Sequence, residues 1–193
     1  DACGNSSSCT IMVTVTDGEN PQVFCKIGKG LDFDGANEYV TVADNAVLEG
    51  MGALTVMGWM KIDALPVQNY APIAKENAYR LIIGANGSFH FVVATNSNGW
   101  YSAGTVGSGG SNLLPTNKWI HVAGVYTGSK VNVYVNGVLM GTSTGTISGN
   151  IVNNGSPLTM AFKTSSNIDY FNGKMDEEGV FNQALTTAQI KTY

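Results

Sequence analysis

The amino-acid sequence predicts an all-β fold, a two-sheet antiparallel sandwich. Short runs of alternating apolar and polar residues, rich in Val, Thr and Tyr, recur along the chain from Leu31 onward, which is the periodicity of half-buried strands. Turn signals such as Asn136-Gly137 separate these runs, and Asn-Gly favours the tight turns of β-hairpins. Strands do not alternate with long helices in the sequence, which argues against a parallel α/β sheet.

The predicted strands begin and end close to these turn signals. The clearest hairpin runs from Val131 to Val135, turns at Asn136-Gly137 and returns through Val138–Met140. One short amphipathic helix is predicted over 183–192, capped by Thr186 or Thr187. The predicted strands are 31–34, 38–43, 53–62, 71–74, 79–84, 88–95, 100–106, 119–126, 130–135, 138–143, 157–162 and 173–181.

The first 27 residues are predicted to belong to a different unit. Residues 10–16 and 23–27 each have the composition of a strand, with a turn or linker at 17–21 between them. Two strands cannot enclose a core of their own. The sequence therefore predicts a domain remnant and linker over 1–27, and the sandwich over 28–193.

All three cysteines, Cys3, Cys9 and Cys25, lie in that first segment. They lack the close spacing and histidine partners of a zinc site. They predict one disulfide, formed in an oxidising compartment, with the third thiol free or paired outside this sequence; three reduced, inert cysteines are the alternative. The chain begins at Asp1 rather than Met, which indicates a mature fragment or an excised piece of a longer polypeptide.

Charge and hydropathy exclude two classes of partner. The net charge is −4, and the 10 Lys and Arg residues are scattered, so there is no basic stripe to neutralise nucleic-acid phosphates. No apolar run approaches the roughly 18 residues that a membrane span requires. We expect neither nucleic-acid binding nor membrane insertion.

Four blocks of residues share their order and spacing with a known family. The four blocks are Leu31–Gly35 with Tyr39-Val40, Leu54–Val56 with Gly58-Trp59, Lys118–Ala123 followed by Tyr134–Gly137, and Phe171–Glu177 followed by Ala184-Leu185 and Ile190. Together they resemble laminin-G-like domains, which are concanavalin A-like jelly rolls, across roughly 30–193. The first 27 residues resemble the end of a hyalin-repeat, immunoglobulin-like domain. The two resemblances imply a jelly-roll sandwich within a larger extracellular or cell-surface adhesion protein.

The resemblance also implies which side chains fill the core. Trp59 and Trp119 stand at core positions of the family, and alternation within their strands favours one apolar face. The residues expected inside the sandwich are Trp59, Trp119, Phe33, Val56, Val133 and Val135.

The sequence favours a non-catalytic domain. Glycosidases need two carboxylates at a set separation, and on a strand such pairs come from residues two or four apart. The pairs Asp32 with Asp34 and Asp176 with Glu178 share that parity, and Asp34, which precedes a glycine, is better explained as a turn residue. His90 and His121 stand alone in strand runs, without a nucleophile motif nearby.

A structural calcium ion is the expected cofactor. In this wider fold such an ion often joins the first and last strands, and Asp176 matches the family's closing aspartate. Asp34 and Gly35 at the opening strand, with Asp176 and Glu178 at the closing one, supply the oxygen ligands that Ca²⁺ prefers. The alternatives are that Asp176 caps a turn and that Glu178 faces solvent.

Four aromatic residues near turns are the candidate ligand platform. Trp100, Tyr101, Tyr79 and Tyr170 could stack on the apolar faces of sugar rings; the alternative for Trp100 is packing on its own hairpin. The sequence thus predicts a binding or adhesion module that recognises a glycan or a surface protein. A structural spacer or assembly subunit of an extracellular filament or surface layer is the other hypothesis.

Overall fold

The computed structural model describes residues 30–97, 99–104, 113–162 and 170–193. The predicted remnant over 1–27 and its three cysteines lie outside these residues. The described chain forms two six-stranded antiparallel sheets, as the sequence predicted. No helix of the described residues has the length and apolar character to cross a membrane.

The first sheet contains the strands that carry the candidate site. Its strand order is β1-β12-β3-β8-β9-β10. The bounds are β1 Leu31–Asp34, β3 Leu54–Ile62, β8 Trp119–Tyr126, β9 Val131–Val135, β10 Val138–Thr142 and β12 Asn172–Phe181.

The second sheet packs against the first, in the order β2-β11-β4-β5-β6-β7. Its bounds are β2 Val40–Val42, β4 Tyr70–Lys75, β5 Tyr79–Ile83, β6 Phe89–Thr95, β7 Gly99–Gly104 and β11 Leu158–Met160. A single 3₁₀ turn, Ala46–Leu48, follows β2.

Every predicted strand is present, with its ends within about two residues of the expected positions wherever the chain is described. The predicted hairpin is β9 and β10, and Asn136 and Gly137 both have positive φ. The helix, α1, is shorter than expected, Thr187–Ile190. Its cap is Thr186, whose hydroxyl accepts from Gln189 N while the Gln189 side chain accepts from Thr186 N, a reciprocal capping box.

The main core lies between the two sheets. Phe33, Val56 and Val133 are buried there, as expected, and Val135 is half-buried against the same cluster. A smaller cluster lies on the outer face of the first sheet, where α1 and the segment before it cover strand residues. Its members are Met57, Ala123, Val125, Tyr134, Phe181, Leu185 and Ile190.

The prediction that Trp59 and Trp119 fill the core is wrong. Trp59 is half-buried and Trp119 is 44% exposed. Strand alternation explains the error, because Met60 and Ile62 of β3 point into the core and Trp59 therefore points outward. The same argument applies to Trp119, whose neighbour Ile120 is a core residue.

Candidate ligand-binding site

The four predicted platform residues do not form one surface. Trp100, on β7, is 44% exposed, whereas Tyr101 is half-buried and packs against the core. Tyr170 pairs with Phe162, just after β11. Strands β11 and β7 are four positions apart in the second sheet, which corresponds to about 19 Å, so Trp100 and Tyr170 cannot contact one ligand ring.

Tyr79 has to be removed from the platform. It is 0% exposed and packs in the core between the sheets. Because β5 alternates, Tyr79 shares its inward face with Leu81 and Ile83. A ring in that position cannot stack on a ligand at the surface.

Trp100 and Tyr170 each pack against other side chains. The Arg80 guanidinium lies 4.6 Å from the centroid of the Trp100 ring, a cation–π contact, and Arg80 also pairs with Glu76 at 3.7 Å. Tyr170 stacks on Phe162, with ring centroids 5.1 Å apart, and Tyr39 completes this small aromatic cluster.

The four predicted calcium ligands do not fit a single ion. In the β1–β12 ladder Asp34 faces Asn172, four residues before Asp176, a separation of about 13 Å along the strand. Glu178 does not face the same side of the sheet as Asp176. A Cβ added to Gly58, which has the same parity as the core residues of β3, would lie 3.1 Å from Glu178 Cγ, so the Glu178 side chain lies on the core side of the first sheet. Calcium binding by any one of these carboxylates stays a prediction, which melts with and without EDTA test.

The two carboxylate pairs that the sequence analysis considered for catalysis do not converge on one site either. Asp32 forms an ion pair with Lys174, and Asp34 Oδ1 accepts from Ala36 N at 2.8 Å, the turn role expected for it. Asp176 lies opposite Trp59, on the outer face of the first sheet, whereas Glu178 lies on the other side.

Both histidines occupy structural positions in their strands. His90 Nε2 lies 3.1 Å from Ser88 Oγ, and its ring covers Gly104. His121 is buried and contacts Trp59 edge-on. Burial lowers the pKa of His121 to about 4, so this ring is neutral at physiological pH.

A shallow depression lies on the outer face of the first sheet. Two indoles and two carboxylates line it, from Trp59, Trp119, Asp176 and Glu177. Its volume is about 300 Å³, the lower end of the range for small-molecule sites. Below we call these four residues the Trp59–Trp119 depression.

Cross-strand register brings the depression together from three strands. Trp59 of β3 lies opposite Asp176 of β12 on one side and His121 of β8 on the other. Trp119 lies opposite Lys61, so the two indoles are diagonal neighbours on one face, within reach of each other.

A β-bulge places both carboxylates in the depression. In a regular strand Asp176 and Glu177 would face opposite sides, but the register slips between Asp176 and Gly179. Glu177 has φ 57°, a left-handed conformation uncommon for a residue other than glycine, and its N–H donates to Asp176 Oδ1 at 3.0 Å. Bulges of this kind re-aim side chains.

The two indoles differ in how firmly they are held. Trp59 Nε1 donates to Tyr193 O at 2.9 Å, and the His121 ring packs edge-on with centroids 5.4 Å apart. Trp119, at the first position of β8, has 44% of its surface free. The Trp59 indole is therefore held in place, and the Trp119 indole presents open aromatic surface to solvent.

The fold and the residues match one protein family. A model of the "Concanavalin A-like lectin/glucanases superfamily" matches residues 34–191, most of the chain. The chain belongs to the concanavalin A-like lectin/glucanase superfamily. This confirms the jelly-roll resemblance of the sandwich.

Several solved structures share the architecture. Domain 4 of AbnA, an extracellular arabinanase from Geobacillus stearothermophilus, in complex with arabinotriose, is 23% identical with a TM-score of 0.65; the alignment covers 86% of this chain and 76% of that one. A candidate carbohydrate-binding protein from Bacteroides ovatus is 20% identical (TM-score 0.63), and 83% of this chain spans 46% of it, less than half of its length. A heptameric pentraxin from Limulus polyphemus is 19% identical (TM-score 0.54), with 83% and 78% covered.

These identities establish the fold alone. A search of curated protein sequences gave no match. Which residues bind a ligand therefore has to be argued from this chain's own side chains.

One signal in the sequence could have located the depression. Trp59 shares its parity with Lys61, and Trp119 shares its parity with His121, while the strongly apolar positions of both strands have the other parity. The match to core positions of the family favoured burial of the two tryptophans, whereas strict alternation along each strand placed both of them on the outer face. No comparable signal marks the bulge at Glu177.

Proposed function

We propose that this domain is a non-catalytic carbohydrate-binding module that holds its glycan in the Trp59–Trp119 depression. The observation that carries the proposal is the pair of outward-facing indoles with carboxylates beside them. Sugar rings present apolar C–H faces that stack on aromatic rings, and hydroxyl groups that donate to carboxylates.

The depression supports weak binding at a single site. Covering about 200 Å² of apolar surface contributes about 5 kcal/mol, which corresponds to a dissociation constant of about 0.2 mM before ordering costs. Useful affinity then requires several copies. Repeated domains on one surface protein supply them by multivalency.

Two further lines support the proposal and its setting. Relatives of this fold include a carbohydrate-binding candidate and an arabinanase domain bound to arabinotriose. The sparse charge, 12% of residues, and the clustered Cys3, Cys9 and Cys25 suit an extracellular or cell-surface protein with neighbouring domains. A catalytic role has no support from the carboxylate pairs, because Asp176 and Glu178 lie on opposite faces of the sheet.

A glycan array on the isolated domain tests this function. The chain offers a matched control, because Trp119 and Trp100 are both 44% exposed but lie on different sheets. We expect Trp119→Ala to lose the array signal and Trp100→Ala to keep it, with both variants folded by circular dichroism. An array without signal for the wild-type domain, or signal lost only in Trp100→Ala, contradicts the proposal.

One observation favours the second candidate, an assembly subunit or spacer. Strand β10 is the outermost strand of the first sheet, and it leaves Val138 and Leu139 about half exposed, at 55% and 49%. Exposed apolar edges of this kind pair with other chains. Sedimentation that shows association at micromolar concentration, abolished by Val138→Lys, would favour this reading.

A further inference from the structure

We propose that the ligand of the Trp59–Trp119 depression carries a protonated amino group, which makes an amino sugar with a free amine its preferred glycan. This inference rests on the proposed function, because it specifies which sugar the depression takes. The geometry points to it through two features, unneutralised carboxylates and the faces of two indoles.

The first feature is negative charge without a counterion. Among the described residues, no Lys, Arg or His lies within salt-bridge distance of Asp176 or Glu177. The two lysines on the same face are already engaged, since Lys61 pairs with Asp63 at 3.2 Å and Lys174 with Asp32. A cation brought by the ligand would therefore meet two carboxylates with no competing cation in contact.

The remaining charged or titratable groups nearby do not cancel this charge. His121 is neutral at physiological pH, because burial lowers its pKa to about 4. Lys118 is exposed in the bend just before β8, and the Lys191 side chain lies against Gly137. Among the described residues, neither lysine forms an ion pair with Asp176 or Glu177. Partial burial and the charge of Asp176 raise the pKa of Glu177, the response of a carboxylate that lacks a cation.

The second feature is the aromatic wall beside these carboxylates. An ammonium group over an indole face gains cation–π attraction, and Trp119 leaves 44% of its surface open. Trp59 is fixed by its hydrogen bond to Tyr193 O, so this wall needs no reordering on binding. A neutral sugar would use the same indoles but would leave the carboxylate charge uncompensated.

The test compares oligosaccharides that differ only in that charge. Isothermal titration at about pH 6, where such an amine is protonated, measures the glucosamine tetramer, its N-acetylated form and the glucose tetramer with the same linkage. We expect the glucosamine tetramer to bind about tenfold more tightly than either neutral form. Raising NaCl from about 0.05 M to about 0.5 M should shrink that preference.

Matched variants assign the preference to the carboxylates. Asp176→Asn and Glu177→Gln should each weaken binding of the glucosamine tetramer about threefold, and leave the neutral forms within about twofold. Glu38→Gln, which removes an exposed carboxylate between β1 and β2, is the control and should change none of them. Unchanged melting temperatures show that the variants fold.

The outcomes distinguish failure of the amino-sugar preference from failure of the carbohydrate-binding function. Equal or tighter binding of the neutral tetramers, lost in Trp119→Ala, overturns the amino-sugar preference and leaves the carbohydrate-binding function in place. Binding of none of the three tetramers, with an empty glycan array, overturns both. A glucosamine preference that survives Asp176→Asn and Glu177→Gln also overturns the inference.

Discussion

Lys75 shows how a single residue can stabilise one end of the second sheet. Its side chain is 0% exposed, and its ammonium lies 2.6 Å from Asp44 Oδ1 and 3.1 Å from Glu49 Oε1. The Glu49 side chain is itself only 3% exposed. Removal of the ammonium would leave a buried carboxylate without its cation, which is far more costly than losing a surface pair.

We therefore expect Lys75→Ala to lower the free energy of unfolding by about 3–5 kcal/mol. The matched control is Lys61→Ala, because Lys61 pairs with Asp63 at 28% and 35% side-chain exposure. That surface pair should contribute less than about 1 kcal/mol. Urea unfolding of both variants measures the difference, and similar losses would show that the Lys75 pair is no more than a surface contact.

Glu178 makes the stability of the domain depend on pH. Its Oε1 is enclosed and has no hydrogen-bond partner among the described residues, and burial raises its pKa from 4.5 to about 8. Between these two values the unfolded chain releases the proton while the folded chain keeps it, so rising pH favours unfolding. Below this window both states are protonated, and above it both are ionised.

The variant Glu178→Gln removes this titration and keeps the shape of the side chain. Compared with the wild-type protein, it should gain stability steadily as the pH rises from about 4.5 to about 8. Urea unfolding at several pH values across this window measures the gap. A gap that stays constant with pH would mean that Glu178 titrates normally in the folded protein.

At the scale of the elements, the two sheets approach each other closely where β8 crosses β6. A Cβ added to Gly124 of β8 would lie 2.1 Å from Cγ of Phe91, and Phe91 is 0% exposed. The absence of a side chain at Gly124 therefore sets the spacing of the sheets at this point. Native cores have little room to absorb an extra methyl group here.

We expect Gly124→Ala to destabilise the domain by about 1–3 kcal/mol through overpacking. Gly52→Ala is the control, because the nearest atom to its added Cβ is Asn150 Oδ1 at 3.6 Å, an ordinary contact. The control should stay within about 0.5 kcal/mol of the wild type. Thermal melts compare the two, and an undisturbed Gly124→Ala protein would show that Phe91 can move aside.

The elements were predictable because their signals are local. Alternation and Asn-Gly turns lie within a few residues of each strand, so the strand bounds followed from the sequence. The depression depends on which strands become neighbours and on one slipped register in β12. Neither feature can be read from a short stretch of sequence. The predicted ligand platform was wrong at Tyr79, because this side chain points into the core on the same face of β5 as Leu81.

At the scale of the whole molecule, the two faces of the first sheet lie in different surroundings. The space between the sheets provides stability, and the outer face of the first sheet is divided between a covered part and an open part. The segment ending in α1 covers Met57 and Phe181, and the Trp59–Trp119 depression remains open beside it. Tyr193, three residues after α1, contacts the depression, because its backbone oxygen accepts from the Trp59 indole N–H.

The most direct test of glycan binding at this depression uses the three tryptophans of the chain. Each contributes one indole N–H signal to a ¹H–¹⁵N spectrum, assigned by replacing Trp59, Trp100 and Trp119 one at a time with Phe. On titration with an oligosaccharide that binds the domain, the Trp119 and Trp59 signals should shift together while the Trp100 signal stays in place. A titration that shifts Trp100 and leaves Trp59 and Trp119 unmoved would place the glycan on the second sheet and contradict the account.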